Sequence, residues 1–434
     1  MTLHPKYINV FQPQRDLWVR SVALGAAVSL LLAVTGCGSD SSSATRGGSG
    51  SSPPSLVASS DPTTVTVSAT TEPAPTTRPP TTDSTTGPDS AMLKGPVPTS
   101  KIDQPTAARL QAVLDEVVAV GTPDAIAAVI TPNGTWAGAA GVDGPNGRTA
   151  KADDEFAIAS ISKTFTAAMI MRLAEQGKID LNQPLAAYLG GTDADANDAT
   201  VEQTLAMRGG LGDTVSTAFD EVYADPSRAW TPAEVVSKIG PPLTPAGTEY
   251  HASNPGYKLL GIAAENVTGK SLAEAMSESV LDPVGATRIV MQDPDHLTPQ
   301  PWALPLKGFE GPLDRAAYGQ GSVLPCMSDA TFSRNAAGMA SDAASLARWA
   351  WSLFSGKILQ PQSLATMMNF DSDGNGLGVF TNPDFGPAAY GSVGNKPGYG
   401  SLLVVLPDRN TVIVMFSNDP DKGGYVAGQL LKAL

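Results

Sequence analysis

Ser160 and Lys163 place a hydroxyl and an amine three residues apart near the start of an apolar stretch, FAIASISKTFTAAMIMRLAEQG, at 156–177. On a helix that spacing puts both side chains on one face. A lysine partly desolvated there has its pKa lowered toward that of a base able to take the serine proton. The free N–H groups of a helix start meanwhile favour negative charge growing on a bound carbonyl oxygen. The pair is thus suited to acyl transfer through a covalent ester on Ser160, with Lys163 as base. Taken alone, the spacing fits a capping serine and a surface lysine about as well. Its meaning depends on the elements around it.

Ile161, Phe165, Ala168, Met169 and Leu173 recur at helical spacing, and Ala167, Ile170 and Met171 leave almost no polar face. This predicts a buried helix over 156–177 that stops at Gly177, with Ser160 at or near its first turn. Earlier, Leu110, Val113, Leu114 and Val117 predict a helix ended by Gly121 and Pro123. Strand-like runs at 125–131 and 135–142 flank Asn133-Gly134, a strong hairpin signal. Runs at 402–406 and 411–417 flank a second turn, Pro407-Asp408-Arg409-Asn410, and 425–434 reads as a helix. Trp349, Trp351 and Leu353 belong to a core helix closed by Gly356. The expected fold class is α/β in the sense of an α+β sandwich. An antiparallel sheet from both chain ends is flanked by helices, with a mostly helical insertion between them.

Three segments precede or make up this domain. Residues 1–36 read as a secretory signal, with Lys6, Arg15 and Arg20 ahead of an apolar core at 22–34. That core ends on Val34-Thr35-Gly36-Cys37, which resembles a bacterial lipobox and implies cleavage before Cys37 and lipidation of its sulfur. Residues 37–100 are rich in Ser, Thr, Pro and Gly and read as a disordered tether. Residues 101–434 form the folded part. The expected location is therefore the outer face of a cell membrane, reached through the anchor at Cys37. The chain's net charge is −14, and the signal carries more cations than anions, so its removal makes the charge more negative. That argues against nucleic acid as a partner. Cys326 is then left without an intrachain partner and reads as a small buried hydrophobe.

The segment FAIASISKTFTAAMIMRLAEQGKIDLNQPLAAYL resembles the active-site segment of the serine β-lactamase and penicillin-binding-protein superfamily. The likeness is to the branch of class C β-lactamases, D-alanyl-D-alanine carboxypeptidases and related esterases. It continues through TVEQTLAMRGGLGD, SNPGYKLLGIAAENVTGKSLAEAM, GMASDAASLARWAWSLFSGKIL and GYGSLLVVLPDRNTVIVMFSND, collinearly over 101–434. The resemblance implies a β-lactamase/transpeptidase-like fold with Ser160 as nucleophile and Lys163 as its proton acceptor. It also implies that Asn254 orients the lysine and binds substrate, and that the backbone amide of Asn395 pairs with that of Ser160 as an oxyanion hole. Two side chains depart from the family pattern. Ala252 stands where a tyrosine begins the second motif, and Ser392 stands where Lys or His begins the third. Lys396-Pro397-Gly398 also spells Lys-x-Gly, but reads as part of the turn after that strand. His251, beside the vacated tyrosine position, is a candidate substrate-site residue; in an extended segment it aims away from Ser160.

Other signals carry no chemistry. Gly269-Lys270-Ser271 reads as a helix stop followed by a helix start, and the Asp193-to-Asn197 run lacks the Gly and Glu of a calcium loop. No Gly-x-Ser-x-Gly occurs, and no cofactor or metal is expected. Two functions follow. One is a lipid-anchored, monomeric serine hydrolase acting on an ester, lactam or peptide-like substrate, cell-wall peptide included. The other is a catalytically degenerate relative that binds a cell-wall peptide or a protein.

Overall fold

The computed structural model describes residues 92–144, 147–304, 323–419 and 422–434. The signal segment 1–36, Cys37 and the tether up to residue 91 lie outside the described residues. The last part of the tether as read, 92–100, is packed on the domain. Leu93 is buried, its N–H donates to the Phe354 carbonyl at 3.0 Å, and Asn410 holds Lys94 by both N–H and C=O. Met92 and Leu93 end the polar tract with apolar side chains that have somewhere to go, so the folded part begins before residue 101.

Helix α1 (Gln104–Ala119) starts where Asp103 caps the Thr106 N–H at 2.9 Å, and it buries Leu110, Leu114 and Val117. There follow strands β1 (Asp124–Thr131), β2 (Gly134–Asp143), β3 (Arg148–Thr149) and β4 (Phe156–Ala157), then helix α2 (Ser162–Glu175). The middle of the chain holds α3 (Thr217–Ala224), α4 (Asn254–Thr268), β5 (Ile289–Met291), α5 (Met327–Ala337), β6 (Met339–Ser341) and α6 (Ala343–Phe354) among shorter helical turns. Strands β7 (Phe380–Thr381), β8 (Tyr390–Lys396), β9 (Tyr399–Leu406) and β10 (Thr411–Ser417) and helix α7 (Gly423–Ala433) complete it.

The main sheet runs β3-β2-β1-β10-β9-β8-β7, antiparallel throughout, so strands from the two chain ends meet at its centre, where Val129 faces Ile413. Every residue of β1, β9 and β10 is buried, because helices cover both faces. Ile126, Ala128 and Ile130 join Val412, Val414, Phe416, Leu403 and Val405 in the core that holds α2 and α6, while α1 and α7 cover the opposite face. Phe165 of α2 stacks on Trp349 of α6, and Phe156 lies between Tyr399 and Phe416. A second sheet, β4-β6-β5, abuts the start of α2. The architecture is the expected sandwich.

Three local expectations shift. The 156–177 segment opens as β4, passes through a 3-10 turn at Ala159–Ile161 and becomes α-helical at Ser162, so Ser160 precedes the helix. In the first hairpin the turn residues are Pro132 and Asn133, and Gly134, at φ +142°, already pairs with Thr131. A side chain at Gly134 would press on the Ser100 and Lys101 backbone, which runs alongside. Lys396 belongs to β8: Pro397-Gly398 is the turn, and Lys396 pairs with Tyr399.

Helices α4 and α5 pack where Gly261 leaves room for the buried amide of Asn335, whose Nδ2 donates to the Tyr257 carbonyl. An added Cβ would collide with that amide. Gly261→Ala gains helix propensity yet is expected to lower the unfolding free energy by about 1–3 kcal/mol. Urea denaturation reads this directly, and an unchanged or raised midpoint would contradict the packing described.

Candidate active site

Ser160 sits on a turn held from three sides. Ala159 adopts φ +47°, a left-handed conformation costly for a residue with a side chain. Ser162 Oγ closes the turn by donating to the Ala159 carbonyl at 2.6 Å and accepting from the Met339 N–H at 3.2 Å. Ser401 Oγ of β9 donates to the Ile158 carbonyl at 2.8 Å. Gly394 of β8 lies directly against Ile158 and Ala159, where any Cβ would collide with the Ile158 carbonyl oxygen. The strained turn is thus clamped to both sheets, and Ser160 itself remains half-buried and accessible.

Lys163, on the first turn of α2, is nearly fully buried. Its Nζ lies 3.0 Å from Ser160 Oγ, 2.7 Å from Asn254 Oδ1 and 3.0 Å from the Ala336 carbonyl. Arg334, at φ +47° and ψ −145°, breaks α5 two residues before Ala336, near where the chain turns a carbonyl toward Lys163. Burial first, and the charge of Lys396 second, hold the Lys163 ammonium down at about 7 from its usual 10.5. A neutral amine has two protons and one lone pair. Asn254 Oδ1 and the Ala336 oxygen can only accept, so they take the two protons, and the lone pair is left for the one partner with a proton to give, Ser160. The arrangement can deprotonate Ser160.

The structure therefore joins Ser160, Lys163 and Asn254. Ser392 is buried on β8, on the strand face it shares with Gly394 and Lys396, so its side chain is directed to the side where the Ser160 turn lies. Because Pro397-Gly398 is a two-residue turn, Lys396 and Tyr399 form a hydrogen-bonded pair and Asn395 with Gly400 a non-hydrogen-bonded one. The Asn395 N–H consequently points off the edge of β8, which β7 covers only at Tyr390 and Gly391. His251 is drawn elsewhere: its Nε2 lies 3.1 Å from Asp213 Oδ1 at the rim. Tyr257 does not replace the missing tyrosine, since its hydroxyl donates to the Leu205 carbonyl at 2.7 Å and its phenol is pushed up by burial. Cys326 is buried, with its thiol pushed up to about 11 by desolvation.

Five further charged residues stand near the site, of which only Lys396 is named in the sequence reading, as part of a turn. Lys396 Nζ binds Asp329 and, at 3.0 Å, Ser333 Oγ, both on α5. Arg334 pairs with Glu265 of α4. Lys258 of α4 is 3 % exposed and lies 3.7 Å from the centre of the Phe332 ring. One signal was available for Lys258: it interrupts an apolar helical run four residues after Asn254, which puts both on one helix face. Among the described residues no group of His, Cys, Asp and Glu could hold a metal ion.

An antiparallel sheet with helices on both faces, and a buried helix launched from a sharp turn beneath one of its strands, define a fold of the β-lactamase/transpeptidase kind. The beta-lactamase family model matches residues 110–432. The chain belongs to that family, within the superfamily of serine β-lactamases and penicillin-binding proteins. A D-stereospecific amidohydrolase from Streptomyces superposes with a TM-score of 0.60 at 23% identity, covering 75% of this chain and 98% of that one. The penicillin binding protein from Bacillus halodurans does so with a TM-score of 0.61 at 20% identity, over 75% and 98%. At these identities the likeness establishes the fold. Protein flp of Staphylococcus aureus is 29% identical over 138 residues, 31% of this chain and 27% of that protein, so the match spans about a quarter of the relative's length.

With Lys163 near 7, the neutral form that accepts the serine proton grows as pH rises. The rate at which a fluorophosphonate modifies Ser160 is expected to climb about fivefold from pH 6 to 7 and about tenfold by pH 8, levelling off above that. A profile still rising through pH 9 to 10 would contradict a depressed lysine.

Proposed function

We propose that the protein is a lipid-anchored, extracytoplasmic serine hydrolase that works through an acyl-enzyme on Ser160 with Lys163 as base. Its substrate is an ester, lactam or peptide-like compound, cell-wall peptide included. The observation that carries this reading is the 3.0 Å contact between Lys163 Nζ and Ser160 Oγ, with the other two lysine partners both pure acceptors. In the first step the Ser160 proton passes to Lys163 as Oγ bonds to the carbonyl carbon, and the carbonyl electron pair moves onto oxygen. The N–H groups of Ser160 and Asn395 receive that oxyanion. When the pair returns, the bond to the leaving group breaks and the Lys163 ammonium gives the leaving group its proton. Water then repeats the sequence on the ester, releasing the acid and restoring Ser160.

Ala252 removes the tyrosine that would share this proton traffic, and a positioned acid or base is worth about 10²- to 10⁴-fold. The loss weighs least on leaving groups that depart as stable anions, so activated esters should react well ahead of amides. Membership in a superfamily of serine hydrolases supports the hydrolase reading. The apolar segment ending at Cys37 motivates the anchor. A second reading, a binding protein without turnover, is motivated by the same Ala252 together with Ser392.

Intact mass spectrometry after a fluorophosphonate or a penicillin separates the two. The hydrolase reading expects one adduct on wild-type protein, none on Ser160→Ala, and acylation at least about tenfold slower in Asn254→Ala, which frees one lysine proton from its acceptor. Folded protein that forms no adduct with either reagent would turn the assignment to the binding protein.

A further inference from the structure

Around Ser160 lie four buried cationic side chains and two buried or half-buried carboxylates. Asp329 is held by Lys396, and Glu265 by Arg334. Lys163 and Lys258 are left without a carboxylate partner among the described residues. Lys163 is nonetheless satisfied by three oxygens. Lys258 is not: its amine has no hydrogen bond among the described residues, it lies over the face of Phe332 at 3.7 Å, and Asp329, whose charge reaches it, is held by Lys396. A lysine 3 % exposed with no hydrogen-bond acceptor is a costly arrangement in a protein that could have used a leucine there. Burial, with Lys396 next, brings its ammonium down to about 7, which is the protein's way of avoiding an uncompensated charge.

Position says what such an amine can reach. Lys258 follows Asn254 by four residues on α4, so it lies one turn along the helix face whose first member touches Lys163. Its floor is aromatic: Phe332 meets Trp230 at 4.9 Å and Phe219, 42% exposed, at 6.1 Å. Trp230 is fixed by its indole N–H to Ser328 Oγ at 2.8 Å. Position 392 of β8 carries a neutral serine hydroxyl. A buried amine with no hydrogen-bond acceptor of its own, set on an aromatic floor one turn from Asn254, favours a carboxylate joined to an apolar arm.

We propose that Lys258 is the anion-binding residue of this site and that it pairs with a carboxylate carried by the substrate, one helical turn beyond Asn254. The proposal rests on Ser160 being the group acylated. Substrate binding would supply the acceptor that the free protein lacks and would set the acyl carbonyl at a fixed distance from Ser160.

The test compares two esters of one length, the mono-4-nitrophenyl ester of adipic acid, which ends in a carboxylate, and its methyl ester, which does not. The readout is the ratio of kcat/KM for the two, with Ser160→Ala subtracted as background. A charge-assisted hydrogen bond predicts a ratio of about 10 to 100 in favour of the carboxylate for wild-type protein and for Lys258→Arg, falling to near one in Lys258→Met through KM. A wild-type ratio near one, or a ratio unchanged by Lys258→Met, would overturn the proposal. The second outcome includes a uniform loss on both esters, which would mark Lys258 as part of the proton traffic or of the fold. If wild-type protein is acylated by neither ester, the Ser160 reading fails by itself. Calorimetric binding of adipate against dimethyl adipate then decides for Lys258 alone. Adipate binding lost in Lys258→Met supports the anion site, and equal or absent binding of the two overturns it.

Discussion

Everything at the site depends on how three hydrogen bonds are shared at one buried nitrogen. Lys163 Nζ has Ser160, Asn254 and the Ala336 carbonyl around it, and only Ser160 has a proton to offer. Keeping that nitrogen neutral requires that it be dry, which is why α2 carries almost no polar face and why Phe165, Met169 and Ile170 are fully buried behind it. Keeping it aimed requires the rest. The Ser160 turn is clamped by Ser162 and Ser401, α4 delivers Asn254 through the Ser253 cap, and the break at Arg334 in α5 frees a carbonyl to face the lysine. The sheet supplies a rigid wall against which the strained turn is pressed, with Gly394 allowing the contact.

The replaced motif residues acquire a consistent meaning in this frame. Removing a tyrosine and a strand cation leaves a serine that a lysine can still activate, with less help for a poor leaving group. The cations have not left the neighbourhood: Lys396 stands four residues further along β8, tied to Asp329, and Lys258 stands on α4, one turn beyond Asn254. Lys396 also acts at a distance, since its charge helps to keep Lys163 neutral.

Much of this was legible in the chain because it was local. The β1–β2 and β9–β10 hairpins followed from alternating apolar runs and turn residues, and the Ser160–Lys163 pair followed from helical spacing. Family resemblance extended the reading to Asn254 and to the Asn395 amide. Contacts between distant segments were not legible. Nothing near Lys396 announces Asp329, 67 residues earlier, and the pairing of Lys396 with Tyr399 converts a residue read as turn into strand. The left-handed Ala159 is equally silent, because an alanine gives no hint of positive φ. The start of the folded part was misplaced because composition is a windowed property, and Met92 and Leu93 are two apolar residues at the edge of a long polar tract.

The site stands or falls on Lys163 losing its proton near pH 7 in the resting protein, not near 10. NMR of lysine labelled at the ε position, titrated from pH 5 to 11, measures this, with Lys163→Arg and Lys258→Met assigning the two buried signals. The Lys163 signal is expected to move with a midpoint near 7. A Lys163 midpoint at the ordinary lysine value of about 10.4 would contradict it.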